Sequence, residues 1–272
     1  MPLRIVQSKQ NSRLKELRRA IVHPGRDGNR QVGIEGPNLV AEALRAGLCL
    51  HTVFIAKGSE HLLAPLALAP EIDVLVMPLE LLTSVLATET PQPIAALIDP
   101  PDWTWTHLLG DRRKTPPLVV VLAGLQDPGN VGAIMRSAEA FGANGILSLP
   151  GTVSAWNPKA VRASAGSVFR VPLLPATVDE CFTRLREANV KVFSTSLQGA
   201  APAELVDLEG PVALLIGNEG NGVPKDIAAR TGSAITIPCP GSVESLNASV
   251  AAGVLLYEAS RQRAAAVRGV KR

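Results

Sequence analysis

Three segments in the second half of the chain each join a short run of branched apolar residues to a loop rich in glycine and asparagine. They are N130-V-G-A-I-M-R136, I216-G-N-E-G-N-G-V223 and I235-T-I-P-C-P-G-S-V-E-S-L-N247. One such loop leading to a helix is common in α/β proteins, whereas three in this order are rare. Ligands of open α/β sheets bind at the carboxyl ends of the strands. The three segments therefore predict a ligand site at one edge of a parallel sheet.

The rest of the second half supports a parallel sheet. The run L118-V-V-V-L-A123 is apolar on both faces, as a central parallel strand requires. Further strands are predicted at 145–149, 191–195, 212–216 and 234–237, with a possible strand at 167–171. Helices are predicted near 131–141, 157–165, 178–189, 224–230 and 246–267. This alternation predicts an α/β domain over residues 117–272.

The first 99 residues predict a smaller α/β domain. Residues 11–22 have helical spacing, and Leu14, Leu17 and Ile21 share one side. A glycine-rich turn at 23–28 follows, and strands and short helices then alternate. Residues 100–116 are rich in proline and hold two of the three tryptophans, which indicates a linker. Covering an interdomain surface is the favoured role for Trp103 and Trp105, and stacking on bases is the alternative.

Composition and charge narrow the class of protein. An apolar content of 46% with 19% charged residues indicates a folded chain, and no apolar run is long enough to span a membrane. Three widely separated cysteines form neither a zinc pattern nor a disulfide framework, which favours a reducing cytoplasm. Residues 1–30 carry a balance of +6 and residues 257–272 one of +4. Both ends could contact a polyanion such as nucleic acid, although solvated helix faces explain the charge equally well.

The ordinary nucleotide-binding fingerprints are missing. The glycine-rich run 217–222 is followed by Val223, so it lacks a phosphate-loop lysine, and no acidic residue ends the strand 191–195. A cofactor would therefore be held mainly by backbone groups in loops. All four histidines precede residue 117, which argues against histidine-dependent chemistry in the second domain. The pair Pro238-Cys239 matches a nucleophile motif of some base-modifying RNA methyltransferases, but without their cofactor fingerprint Cys239 is interpreted as a packing residue.

Together the three segments resemble the SpoU/TrmH family of RNA ribose 2′-O-methyltransferases, in the SPOUT class. The resemblance is close over residues 117–265 and weaker over residues 1–99. It implies a SPOUT-type parallel sheet with a trefoil knot over 117–272, joined by the linker 100–116 to a small, ribosomal-protein-like RNA-binding domain over 1–99. It also implies a bent S-adenosylmethionine held in the knotted loops, and a homodimer in which two subunits often share each active site.

The same resemblance assigns the site residues. Those matching the catalytic centre are Arg136, Asn130, Glu219, Ser245 and Asn247. Those expected to hold the cofactor are Thr195, Gly217, Asn218, Ile237 and Leu246. Chemistry adds that arginine is a poor base, so Arg136 is expected to orient the ribose hydroxyl and bind phosphate. Asn130 and Ser245 are predicted helix caps, and positive φ angles are predicted at Gly217, Gly220 and Gly222.

These observations predict an S-adenosylmethionine-dependent enzyme that methylates a ribose 2′-oxygen of structured RNA. The N-terminal domain favours ribosomal RNA, by analogy with the family. A transfer-RNA 2′-O-methyltransferase and a non-catalytic RNA-binding protein on the same fold are the alternatives. We expect a cytoplasmic homodimer with no metal, no membrane partner and no DNA partner.

Overall fold

A computed structural model of the protein describes residues 3–24, 30–86, 88, 90–110, 115–196, 199–242, 245–267 and 269. The chain forms two compact units, Met1–Asp102 with Trp156–Arg170, and Trp103–Ala155 with Val171–Arg272. The segment 156–170 thus packs with the first unit, although it lies within the methyltransferase domain predicted over 117–272. The assignment of RNA binding and methyl transfer to separate domains remains a prediction.

The described helices and strands alternate along the whole chain. Up to residue 102 they are β1 (Leu3–Ile5), α1 (Ser12–Val22), β2 (Val32–Glu35), α2 (Pro37–Arg45), β3 (Leu50–Ala56), β4 (Asp73–Met77), α3 (Leu79–Thr83) and β5 (Ile94–Ile98). After it they are α4 (Trp105–Leu109), β6 (Leu118–Ala123), α5 (Pro128–Ala140), β7 (Gly145–Ser148), α6 (Pro158–Ala163), β8 (Leu173–Pro175), α7 (Val178–Glu187), β9 (Lys191–Thr195), β10 (Ala201–Pro202), β11 (Val212–Gly217), α8 (Lys225–Ala228), β12 (Ala234–Thr236) and α9 (Ala248–Val267). Among the described residues, no helix combines the length and apolarity that crossing a membrane requires.

The first unit contains a mixed five-stranded sheet in the order β1-β4-β3-β5-β2. The strands β1, β3 and β4 are parallel, whereas β5 runs antiparallel to β3 and β2. Helix α1 covers one face, and its predicted apolar residues Leu14, Leu17 and Ile21 are all buried. The side chain of Asn11 caps this helix by accepting from the backbone N–H of Leu14. The small α/β unit predicted from the sequence is present.

The second unit contains a seven-stranded sheet in the order β10-β12-β9-β11-β6-β7-β8, in which all neighbouring strands are parallel. Central strands β6 and β11 are buried along their whole length. Their register pairs Val212 with Leu118 and Gly217 with Ala123, so both strands end together. The loops after β6, β9, β11 and β12 therefore leave one edge of the sheet side by side, where the sequence predicted the ligand site.

Some elements differ from the prediction. The possible strand at 167–171 is wrong, because Gly166 has a φ of +92° and Ser167–Phe169 form a 3-10 turn instead. The proline-rich linker contains α4, whose Leu108 is fully buried in the second unit's core. Strand β1 was not predicted at all. The turn predicted at 23–28 lies largely outside the described residues.

Candidate active site

Helix α5 leads away from the carboxyl end of β6 and contains the first of the three sequence motifs, Asn130–Arg136. Asp127 caps it by accepting from the backbone N–H of Gly129 at 2.9 Å, and Pro128 occupies the first helical position. The prediction that Asn130 caps this helix is therefore wrong: Asn130 lies in the first turn and is 6% exposed. Arg136 lies a little over two turns into the helix, rather than one and a half, and its side chain is exposed. The helix thus presents a buried amide near its start and an exposed guanidinium further along.

A chain of hydrogen bonds joins the three motifs through Asn130. Its Nδ2 donates to Oε1 of Glu219 at 2.9 Å, and its Oδ1 accepts from Nδ2 of Asn247 at 3.0 Å. An ionised carboxylate only accepts, so Glu219 fixes which end of the Asn130 amide faces it. The Asn130 oxygen must then face Asn247. The donor-to-acceptor order of these hydrogen bonds, from Asn247 through Asn130 to Glu219, therefore follows from the charge on the Glu219 carboxylate.

Asn247 also begins helix α9. Its Oδ1 accepts from the backbone N–H of Ser249 at 2.9 Å, from the Ser249 hydroxyl at 2.7 Å and from the N–H of Val250 at 3.3 Å. This is the geometry of an N-cap. The cap predicted at Ser245 is therefore wrong; Ser245 is exposed two residues earlier and lies outside the hydrogen-bonded chain. Because Asn247 uses both ends of its amide, the start of α9 is fixed against α5.

The loop after β11 folds back tightly on itself. The backbones of Asn218 and Gly222 exchange two N–H···O bonds of 2.9 Å each. A Cβ on Gly217 would lie 2.1 Å from the carbonyl carbon of Gly222 and 2.2 Å from the nitrogen of Val223. Close approach of backbone, not an unusual φ, thus requires glycine at 217. Of the three positive φ angles predicted here, only that of Gly222, at +65°, is present.

Asn218 ties this loop to the loop after β6. Its Nδ2 donates to the carbonyl oxygen of Gly124 at 2.9 Å, and its Oδ1 accepts from the N–H of Gly220 at 2.9 Å. The loop after β6 is held from its other side by Thr152, whose hydroxyl accepts from Gly124 N–H at 3.0 Å and donates to the Leu122 carbonyl at 3.1 Å. Thr152 was not predicted, because its partners lie about 30 residues away and no local pattern marks it.

The environment of Glu219 keeps its carboxylate ionised. Partial burial pushes the pKa of Glu219 upward, but hydrogen bonds from Asn130 and from backbone N–H groups, including those of Gln126 and Asp127, outweigh this effect. The pKa of Glu219 therefore lies below its ordinary value. A carboxylate with a lowered pKa whose oxygens already accept hydrogen bonds is a weak base. Glu219 is therefore better suited to positioning its hydrogen-bond partners than to removing a proton.

The remaining predicted cofactor residues lie at the same edge of the sheet. Thr195 ends β9, and its hydroxyl donates to the carbonyl of Leu215 at 3.0 Å. Ile237 follows β12 and Leu246 precedes α9, and both are half-buried. Thr195 and Ile237 thus lie at the carboxyl ends of neighbouring strands, and Leu246 lies just before the cap of α9. Val243 and Glu244 of the third motif lie outside the described residues.

The two cysteines of the second unit have contacts that suit packing rather than catalysis. Cys239 is half-buried, and its thiol donates to the carbonyl of Ile237 at 3.4 Å, which agrees with a packing role. Burial raises the pKa of the Cys181 thiol to about 12, so this residue stays neutral in the core. Among the described residues, none forms an ion pair or a hydrogen bond with the Arg136 side chain. The exposed Arg136 side chain therefore remains available to an anionic ligand.

The site fits S-adenosylmethionine by the chemistry of its groups. That cofactor carries an adenine, an amino acid and a cationic sulfonium, which need backbone amides, apolar walls and a nearby negative charge. Several closely spaced loops provide main-chain groups at this edge, and Ile237 and Leu246 provide partly exposed apolar surface. The ionised Glu219 supplies negative charge.

Comparison with known proteins identifies the class of enzyme to which this chain belongs. Residues 117–257 match the model of the SpoU rRNA Methylase family, and residues 34–104 match the domain described as RNA 2'-O ribose methyltransferase substrate binding. The chain belongs to the SpoU rRNA methylase family. It is an RNA methyltransferase that uses S-adenosylmethionine.

Individual relatives agree with this assignment over nearly the whole chain. A 23S rRNA (guanosine(2553)-2'-O)-methyltransferase, RlmP of Bacillus subtilis, is 32% identical over 256 residues, covering 93% of this chain and 97% of the relative. The crystal structure of an AdoMet-bound rRNA methyltransferase from Sinorhizobium meliloti matches with a TM-score of 0.81 at 30% identity, over 95% and 98% of the two chains. The SpoU methyltransferase AviRb from Streptomyces viridochromogenes, in complex with AdoMet, matches with a TM-score of 0.79 at 27% identity, over 94% and 99%.

Proposed function

We propose that this protein methylates the 2′-oxygen of one ribose in ribosomal RNA, with Arg136 as the residue that binds the reacting nucleotide. The observation that carries the proposal is the hydrogen-bonded chain from Asn247 through Asn130 to Glu219, built by three distant segments, together with the exposed Arg136 on the same helix as Asn130. Relatives of similar length include a 23S rRNA 2'-O-methyltransferase, which favours ribosomal over transfer RNA as substrate.

In this proposal the protein acts mainly by positioning. S-adenosylmethionine supplies a methyl group on a cationic sulfonium, so an oxygen–carbon bond forms as a sulfur–carbon bond breaks and the hydroxyl proton leaves to solvent. The Arg136 guanidinium binds a phosphate beside the target ribose and donates to the 2′-oxygen as negative charge develops there. Its planar fork can make both contacts at once, whereas it cannot itself serve as a base.

The other site residues fix the positions of the helices and loops that form the active site. Asn130, Glu219 and Asn247 fix α5, the loop after β11 and the start of α9 relative to one another, and α5 is the helix that carries Arg136. We assign cofactor binding to the loops that contain Thr195, Gly217, Asn218, Ile237 and Leu246. We assign Ser245 to the catalytic centre, because its exposed hydroxyl lies two residues before the cap of α9.

The architecture proposed for the catalytic domain is a trefoil knot within a homodimer. Consistent with a dimer, the large apolar residues Val250, Val254 and Tyr257 are 50%, 40% and 55% exposed on successive turns of α9. The Tyr257 ring also contacts Phe141, the residue after α5, edge to face, with ring centroids 5.8 Å apart. A second copy of the chain would cover this apolar surface. The knot rests on family resemblance, and its loops would be those around Gly217.

RNA contacts are assigned to the first unit. Helix α1 keeps its apolar side buried and exposes Arg13, Lys15, Arg18 and Arg19 along the solvent side, with one acidic residue among them. Cations arranged in this way attract phosphates irrespective of sequence, and the salt dependence of binding measures how many are contacted. We place the protein in the cytoplasm, where its RNA substrate would be available.

The test uses the purified full-length protein, isotopically labelled S-adenosylmethionine, and unmodified ribosomal and transfer RNA. The expected result is label in a 2′-O-methylnucleoside released from ribosomal RNA by complete digestion. Label in transfer RNA alone would favour the alternative substrate. Tight RNA binding without any transfer, despite bound cofactor, would contradict the proposed reaction and favour the non-catalytic alternative.

A further inference from the structure

The first unit brings three potential metal ligands together at one end of its sheet. Cys49 immediately precedes β3, and Asp99 immediately follows the antiparallel strand β5. The backbone N–H of Asp99 donates to the carbonyl of Cys49 at 3.1 Å, which holds the two chain segments side by side. Residues 50 positions apart in sequence are thus neighbours, which explains why cysteine spacing alone did not indicate a metal site.

A β-bulge brings the third side chain to the same place. The pairing of β3 with β5 runs from Leu50 opposite Ile98 to Thr52 opposite Leu97, so His51 is an extra residue in β3. Such a bulge re-aims a side chain out of the regular alternation of a strand and is frequent beside functional sites. Here the His51 Nε2 lies 2.8 Å from Oδ2 of Asp99.

The three ligand atoms are close enough to share one ion. The cysteine sulfur, a histidine ring nitrogen and a carboxylate oxygen all lie within 4.8 Å of one another. Zinc bonds of about 2.0 Å to nitrogen and about 2.3 Å to sulfur imply ligand separations of roughly 3.3–3.8 Å in a tetrahedral site. A bound zinc ion would therefore require adjustments of these side chains from their present separations of up to 4.8 Å.

The contact between His51 and Asp99 also suits a shared cation. The His51 Nε2 is enclosed and lies in ion-pair range of the Asp99 carboxylate, without the geometry of a hydrogen bond. A bound cation would coordinate both the ring nitrogen and the carboxylate. Asp99 is half-exposed and Cys49 is exposed, so solvent can reach the site and provide a fourth ligand.

We propose that Cys49, His51 and Asp99 bind one divalent transition-metal ion of the zinc class, with water as the fourth ligand. The thiolate and imidazole exclude magnesium and calcium, which prefer oxygen ligands. Binding releases the thiol proton and ties the start of β3 to the end of β5. The site lies wholly in the first unit, whereas Asn130, Glu219 and Asn247 lie in the second. Its test is therefore independent of methyl transfer.

The test is a titration of the chelator-treated, full-length protein with cobalt(II), followed by displacement with zinc. The expected result is one tightly bound cobalt per chain, a thiolate-to-cobalt absorption band, and a melting temperature that rises with zinc. Cys49→Ser should abolish the band and His51→Ala should weaken binding at least tenfold. The matched control Cys239→Ser, which changes the other accessible cysteine, should bind like the wild type.

Circular dichroism of each variant separates loss of a ligand from loss of the fold, and Asp99→Asn provides a second variant if Cys49→Ser does not fold. Asp99→Asn should also weaken cobalt binding at least tenfold. The proposal is overturned if the wild type binds cobalt no more tightly than the Cys49→Ser or Asp99→Asn variant. It is equally overturned if Cys239→Ser removes the band, because the thiolate ligand would then lie elsewhere.

Discussion

The Asn247 side chain donates to the Asn130 side chain at 3.0 Å, across 117 residues of sequence. The Asn130 side chain in turn donates a hydrogen bond to Glu219. This one amide therefore joins the starts of two helices to the loop after β11. A polar group this deeply buried has a single favourable orientation, because an unpaired partner would remain desolvated. The relative placement of α5 and α9 at the active site therefore depends on Asn130.

Asn130→Asp should destabilise the active site strongly, although the two side chains are almost equal in size. The new carboxylate would face the Glu219 carboxylate across 2.9 Å, where the wild type has a donor and an acceptor. We expect a loss of about 1–3 kcal/mol in the free energy of unfolding, with methyl transfer strongly reduced. Urea denaturation and a transfer assay measure both effects. Asn221→Asp, on the exposed part of the neighbouring loop, is the control and should change little; equal stability of the two variants would refute the argument.

Gly217→Ala should deform the cofactor loop. The added methyl would lie 2.1 Å from the Gly222 backbone, which cannot move without breaking its bonds to Asn218. We expect affinity for S-adenosylmethionine to fall at least tenfold in calorimetry. The control is Gly210→Ala, because a methyl there meets no atom within 4 Å. Wild-type affinity in Gly217→Ala would mean that the cofactor does not depend on this loop.

Arg263→Ala should destabilise the second unit. The guanidinium donates to four backbone carbonyls, those of Leu208, Gly210, Pro116 and Pro117, at 2.6–3.1 Å. Burial lowers the pKa of Arg263 from its ordinary value without neutralising it, so these are charge-assisted bonds of about 1.5–3 kcal/mol each before the cost of burial.

Denaturant unfolding should show a net loss of about 2–4 kcal/mol for Arg263→Ala. The neighbouring Arg261→Ala serves as the control, because the exposed Arg261 pairs, among the described residues, with Glu258 on the same helix alone. Similar unfolding midpoints for the two variants would show that the carbonyl contacts contribute little.

Much of this architecture could be predicted from sequence because its signals are local. The buried run of β6 and the apolar side of α1 depend on neighbouring residues, and both were found close to their predicted positions. The first of the three predicted loops is wrong, because Asn130–Arg136 lies wholly within α5. The helix caps were predicted wrongly, because Asn and Ser are both good caps and only tertiary contacts decide between Ser245 and Asn247. Thr152, Arg263 and the cluster around His51 were missed, since their partners are distant in sequence.

The Glu219 contacts should make part of the stability depend on pH. The pKa of Glu219 is lowered on folding from the ordinary value of 4.5, so its contribution is complete above that value and disappears as pH falls through the folded pKa. We therefore expect wild type to exceed Glu219→Gln in stability at pH 7, with the difference shrinking below about pH 4.5. Thermal melts of both proteins from pH 3 to 7 measure this; a difference that grows on acidification would contradict the assigned direction.

If two subunits share each site, two inactive variants can complement each other. Mixing Arg136→Ala with Asn247→Ala and allowing subunit exchange should restore part of the activity, because one site of the mixed dimer would carry both defects and the other none. Labelled-methyl incorporation into RNA by the mixture measures this. No recovery after exchange has been verified would argue that each site is built within one chain.

The central claim is that Arg136 acts on the RNA in the methyl-transfer step and is not needed to form the fold or the cofactor site. Its exposed side chain has no hydrogen-bond or ion-pair partner among the described residues, so Arg136→Ala should retain the wild-type melting temperature and affinity for S-adenosylmethionine. The deciding measurement is single-turnover transfer of labelled methyl to ribosomal RNA by Arg136→Ala and Arg136→Lys. We predict that alanine abolishes transfer and lysine leaves only a small fraction, because lysine keeps the charge but not the planar fork. Near-normal turnover by Arg136→Ala would contradict the account.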